Sequence, residues 1–325
     1  MKSPIEYGDY LFLGANTLPE EMQVNFLDYL KYFVESGATI LEKQLIEKFN
    51  VKSLPKRNAN QIIEGVLACS PTDLARKRKD KNYYLCNAVC LIETLKNIFN
   101  ADLYDKLKSL SVPSIALYNY EHILQWMLID SGELCNLYSN NVLQDFTYCS
   151  HMDARYIHYM SVHQVLRQAL FGQVSFNSFA DMEISASIAV IRQLVELRIR
   201  RAFGVISYIE KDSGRLVPLD LSRIFDCLKK YQNDIEFPLK IENIERIYKW
   251  ANMYTHSGIC ELSWIPYYIE TILRKFSFGE ITEKGWDVKN AISISDAVLQ
   301  RIYEELLINQ PNLEIYRCKP ECTIR

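Results

Sequence analysis

The chain reads as a mainly α-helical protein, a helical bundle with a small α/β appendage at its C-terminal end. Three observations predict this. Apolar residues recur at three- and four-residue spacing through most of the first 280 positions. No internal repeat, low-complexity tract or Gly-, Ser- or Pro-rich linker interrupts them. Strand-like alternation is confined to short stretches around 204–219 and 288–323.

Helical periodicity places elements at Pro19–Glu35, Thr39–Phe49, Asn58–Ala68, Tyr83–Leu110, Ser114–Ile129, Ser161–Leu170 and Asn177–Phe203. The run Gly204–Leu219 predicts a hairpin turning at Asp212-Ser213-Gly214. Asp220 or Ser222 then caps a helix through Leu228. After Pro238 a further helix runs to Gly258, a natural stop, and Trp264–Phe276 gives another. Val288–Ile294, a helix over Asp296–Leu307, and Leu313–Thr323 suggest a strand-helix-strand tail. The expected organisation is an N-terminal helical region over 1–175, a helical module over 176–280 and the tail over 281–325.

A content of 49% hydrophobic and 24% charged residues supports a large soluble core. A net charge of -3 and a pI near 6.0 argue against a dedicated nucleic-acid coat, which needs a concentrated basic surface. The Met1–Asp9 stretch carries acids where a signal peptide carries basic and apolar runs, and no apolar stretch is long enough to span a bilayer. The expectation is a cytoplasmic protein without membrane association. Nine cysteines with no close CxxC pair fit reduced thiols better than a disulfide framework.

The most informative segment is Ile241–Gly258. Glu245, Lys249, Asn252 and His256 return to one side of a helix at spacings of four, three and four, while Ile244, Ile247, Tyr248, Ala251 and Tyr254 form the apolar side. The bland reading is an i,i+4 Glu245–Lys249 pair and a histidine at a helix end, where the dipole favours a cation. Tyr248, Trp250 and Tyr254 concentrate aromatic surface on the same turns, suited to a partner or an RNA base, although helical aromatics are more often core. On the preceding long helix, Ile184, Ile188, Ile191, Val195 and Ala202 form a stripe with Arg198 inside it. A guanidinium there needs a carboxylate, a carbonyl or a bound anion.

The pairing of Ile191–Gly204 with Ile247–Gly258 resembles the HEPN family, over roughly Asn177 to Phe278. The resemblance implies an all-helical, HEPN-like module, often dimeric, many of whose members are metal-independent ribonucleases in prokaryotic defence systems. Active members carry an arginine, a polar residue and a histidine. His256 matches the histidine and Asn252 the polar residue, but the arginine positions are occupied by Ala251, Trp250 or Lys249. Only Lys249 brings a charge there, a point charge where an arginine would present a fork of donors to phosphate. Arg198 or Arg201 from the other helix is the alternative source of a guanidinium.

Two further clusters stand out. Arg76-Lys77-Arg78-Lys79 is the compact basic patch, either a solvated helix end or the place where RNA or an acidic partner would bind. Cys149, His151, Asp153, His158 and His163 crowd together at spacings that match no zinc pattern, and the Cys86/Cys90 and Cys318/Cys322 pairs read as small core or surface residues. No metal or cofactor is expected, and no Walker, Rossmann, nucleophile-elbow or kinase motif is present. The first reading is a non-catalytic or weakly active HEPN-like binding module, homodimeric, acting through protein or RNA contacts in defence or stress. A metal-independent endoribonuclease using His256, Asn252 and Lys249 or Arg198 is the second. A helical scaffold unrelated to HEPN is the third.

Overall fold

The computed structural model describes residues 26–110, 114–146, 184–259, 262–282 and 285–325. It is mainly α-helical with small sheets. The chain divides into two compact units, Met1–Ile184 with Gly258–Tyr268, and Ser185–Ser257 with Ile269–Arg325.

In the first unit, α1 (Phe26–Tyr32) passes through a π-helical turn into α2 (Ala38–Lys48), followed by α3 (Ala59–Val66), α4 (Pro71–Lys77), α5 (Lys81–Ile98), α6 (Ala101–Lys108) and α7 (Ser114–Tyr138). Local chemistry sets several starts. Asn58 and Gln61 form a reciprocal capping box on α3, and the Ser70 hydroxyl accepts from the Asp73 amide to start α4. The helix expected over Tyr83–Leu110 is two helices. Phe99 leaves helical geometry (φ -97, ψ 83) and Asn100 caps α6 by accepting from Leu103 N at 3.0 Å, so the capping asparagine outcompetes continued periodicity.

Helix α5 is the hub of this unit, because eleven of its residues, from Tyr83 to Leu95, are buried. Gly65 lets α3 lie against it: a Cβ there would stand 2.2 Å from Cys86 Sγ. Tyr84 packs edge-on to Tyr138, which in turn meets Phe49 at 4.9 Å. The unit also holds the start of α11 (Trp264–Phe278), where the wholly buried Asp130 carboxylate accepts from the Ser263 amide at 2.7 Å. A carboxylate at a helix start satisfies an orphan N–H and suits the positive end of the dipole.

The second unit contains α8 (Ile184–Ala202), α9 (Leu221–Lys230), α10 (Ile241–Ser257), the end of α11, and α12 (Asp296–Leu307). The expected hairpin forms from β1 (Val205–Glu210) and β2 (Leu216–Val217), with Tyr208 opposite Val217 and Gly214 at φ +67 in its turn. Asp220 occupies the N-cap of α9 without making a side-chain cap bond. The C-terminal segment is not an appendage. Its strand β7 (Leu313–Arg317) pairs antiparallel with β1, while β8 (Thr323–Ile324) runs parallel to β6 (Ser293–Ile294), which pairs with β3 (Ile235–Glu236). A boundary near residue 280 therefore does not separate compact bodies; these ladders tie 285–325 to 205–236. A further hairpin joins β4 (Glu280–Thr282) and β5 (Gly285–Asp287).

Gly204 sits at φ +65 between α8 and β1, and a Cβ there would lie 2.5 Å from the Cys318 carbonyl oxygen. Both the left-handed backbone and the close strand approach require glycine. Gly204→Ala is expected to cost about 1–3 kcal/mol, the scale of left-handed strain at a non-glycine residue, read as a lowered denaturant midpoint.

Candidate functional site

The polar stripe on α10 forms as its spacing implies, but its members are unequally exposed. Glu245 is buried and takes two lysines, Lys249 at 2.8 Å and Lys229 of α9 at 3.2 Å. Lys229 also meets Asp226 at 2.8 Å, and hydrogen bonding to Asp226 and then Glu245 raises its pKa against the opposing effect of burial. The Lys249 charge is thus engaged within the helix face. Asn252 is half-buried, and His256 is exposed in the last turn, just before Gly258 at φ +66.

The aromatic residues on these turns face inward. Trp250 and Tyr254 are 2% and 6% exposed, so they present no free ring to a base or a partner chain, which corrects their reading as binding anchors. Tyr248 is half-buried with the Arg192 guanidinium over its ring at 5.6 Å and Phe225 at 6.1 Å. The physical reason is volume: large rings on a helix with neighbours on several sides are the main source of apolar area to bury.

Arg198 is resolved by the structure in favour of the carbonyl option. It is 6% exposed, and its Nε, Nη1 and Nη2 donate to the Phe276, Glu321 and Val288 carbonyls at 2.9, 2.9 and 2.8 Å. Burial lowers its pKa, with the Glu321 and Cys322 side chains pulling it back up. Its ring neighbour is Phe276, 5.9 Å from the guanidinium carbon. Each of the three nitrogens gives an N–H to main chain, so three of the five guanidinium donors are committed inside the fold.

Ring contacts link the two helices and their ends: the Arg192 guanidinium of α8 lies over Tyr248 of α10, and Phe203, just past the end of α8, meets Phe237, before the start of α10, at 6.1 Å.

The basic patch is largely occupied with local work. Arg76 pairs with Asp73 at 2.6 Å, and Lys77 Nζ caps the end of α3 through the Glu64 and Gly65 carbonyls at 2.5 and 3.1 Å. Arg78 is the C-cap of α4 and its carbonyl accepts from the Tyr84 hydroxyl, while Arg76 and Lys79 are the exposed cations of the patch. The Cys149–His163 cluster lies outside the described residues. Among those described, no group of three or more His, Cys, Asp or Glu could hold a metal. Cys86, Cys90, Cys318 and Cys322 are free; burial raises the pKa of Cys86, Cys90 and Cys322. Elsewhere burial pushes Cys135 up to about 12 and Cys227 to about 11, which leaves them unreactive thiols.

One surface escaped the sequence reading. On the outer side of α8, Val190 and Leu197 are 57% and 51% exposed, with Leu194 half-buried between them and Arg201 exposed beyond. Their four-three-four spacing is the only mark they leave in the sequence, and on a helix that also carries a buried apolar stripe it does not by itself tell an outer face from a core one. No helix among the described residues is long and apolar enough to cross a membrane. The chain matches no family model, no curated protein and no solved structure.

The Arg198 arrangement generates a stability prediction. Removing the side chain in Arg198→Met orphans three carbonyls, each formerly served by a charge-assisted bond, and is expected to cost about 3 kcal/mol or more. Arg198→Lys is expected to recover only part of this, since an ammonium cannot span the three acceptors. Chemical denaturation measures both; a loss below about 1 kcal/mol for the methionine variant would contradict a structural role.

Proposed function

We propose that the chain acts as a non-catalytic binding module built on a HEPN-like helical pair, working through protein or RNA contacts in a prokaryotic defence or stress response. The observation that carries this reading is the fate of Arg198. The one arginine inside the apolar stripe is buried and donates to three carbonyls, while His256 is exposed in the last turn of α10. Lys249, the sole charge at the family's arginine positions, is paired with Glu245. Cleavage of RNA by 2′-hydroxyl attack asks for an acid or base and a phosphate-binding cation in one place, and a binding module does not.

The resemblance to HEPN also implies a homodimer. Such a dimer would use a surface other than Trp250 and Tyr254, which are covered in the single chain.

Incubating the purified chain with single-stranded RNAs in chelator tests the reading. The expected result is no cleavage above background and no difference between wild type and His256→Ala. Products ending in a cyclic phosphate, lost on His256→Ala, would overturn it in favour of a metal-independent endoribonuclease.

A further inference from the structure

Helix α8 has two apolar faces. Ile188, Ile191, Val195, Ile199 and Ala202 are buried. Val190, Leu194, Leu197 and Arg201 form a second row whose centre lies roughly 130° around the helix, at about 100° per residue. An amphipathic helix normally presents polar residues there. Scattered exposed leucines mean little, but an aligned row at four-three-four spacing is the seam that a second helix packs into.

The row borders an open cleft of about 350 Å³, which Arg198, Ser277 and Glu321 also line. Charge at its rim selects the occupant. Arg198 gives an N–H from each nitrogen to a carbonyl, and its charge is balanced by the Glu321 carboxylate that also lines the cleft. Arg201 has its main-chain carbonyl tied to the Glu321 amide at 2.9 Å, which fixes its position, while among the described residues its guanidinium has no hydrogen-bond or ion-pair partner. A fixed backbone with an open guanidinium beside the exposed Val190 and Leu197 is complementary to apolar side chains flanked by a carboxylate.

We infer that the outer seam of α8 docks an amphipathic, acidic helix of another protein, its apolar residues on Val190, Leu194 and Leu197 and a carboxylate on Arg201. This rests on the binding-module reading and names the surface and the partner class. The seam is a feature of the described unit Ser185–Ser257 with Ile269–Arg325.

The test uses the full chain and a fluorescein-labelled synthetic helix of about four turns, with leucines at four-three-four spacing and a glutamate at the end of the row. Fluorescence anisotropy is expected to show saturable binding, weakened about tenfold or more by Leu197→Asp and by Arg201→Glu. Because both positions are exposed, circular dichroism should show these variants folded. A peptide carrying lysine for the glutamate should bind wild type poorly and Arg201→Glu well, a charge swap that no general stickiness reproduces. Absence of saturable binding overturns the inference, whether the seam is bare or covered by another part of the chain. So does single-stranded RNA binding that is lost on Leu197→Asp, or sedimentation showing a dimer that Leu197→Asp dissolves, since the occupant is then a nucleic acid or a second copy. The RNA cleavage assay can fail the binding-module reading without bearing on the peptide, so the two failures are distinguishable.

Discussion

A permanently charged guanidinium placed in the interior of the second unit sets the terms for everything around it. Arg198 cannot shed its proton to escape burial, so the surrounding chain must supply acceptors, and it does so with main chain from three separate segments. The end of α11, the turn before β6 and the C-terminal strap are thereby held to one helix. The strap is also laced by backbone bonds from Cys318 to Gly204, Glu321 to Arg201 and Thr323 to Ile292. Arg200, one position from the carbonyl clamp's neighbour Ile199, does similar work at the surface, joining Glu196 to the Ile206 and Leu219 carbonyls.

This use of arginine bears directly on function. A buried cation with each nitrogen on a carbonyl is held as part of the fold, and Lys249 is similarly drawn into the Glu245 network. What the same helix leaves open is its outer face, where Val190, Leu197 and Arg201 lie. A surface whose backbone is already fixed loses less ordering entropy on binding than one that must fold.

The first unit is organised differently. Helix α5 is buried nearly all round, so its partners are fixed by shape: the missing Cβ of Gly65 and the edge-on rings of Tyr84, Tyr138 and Phe49. Its buried polar groups are handled locally. Asn87 and Thr94 donate back to the Tyr83 and Cys90 carbonyls one turn earlier, and Asp130 serves the start of α11. Glu93 has its carboxyl raised by burial, with a Tyr268 hydrogen bond opposing the shift.

The sequence by itself determined the elements whose signals are local. The Asn58 capping box, the Gly214 hairpin and the Gly258 stop are all interactions within a few residues, and each appears where its residues demand. Local signals also misled at Phe99–Asn100, where a cap was present but periodicity ran through it. Only the tertiary structure decided which strand β7 would join, whether Trp250 and Tyr254 faced core or solvent, and which acceptors Arg198 would find. The Arg198 acceptors lie 78 to 123 positions away in the chain, and a carbonyl oxygen, which every residue carries, leaves no mark in the sequence.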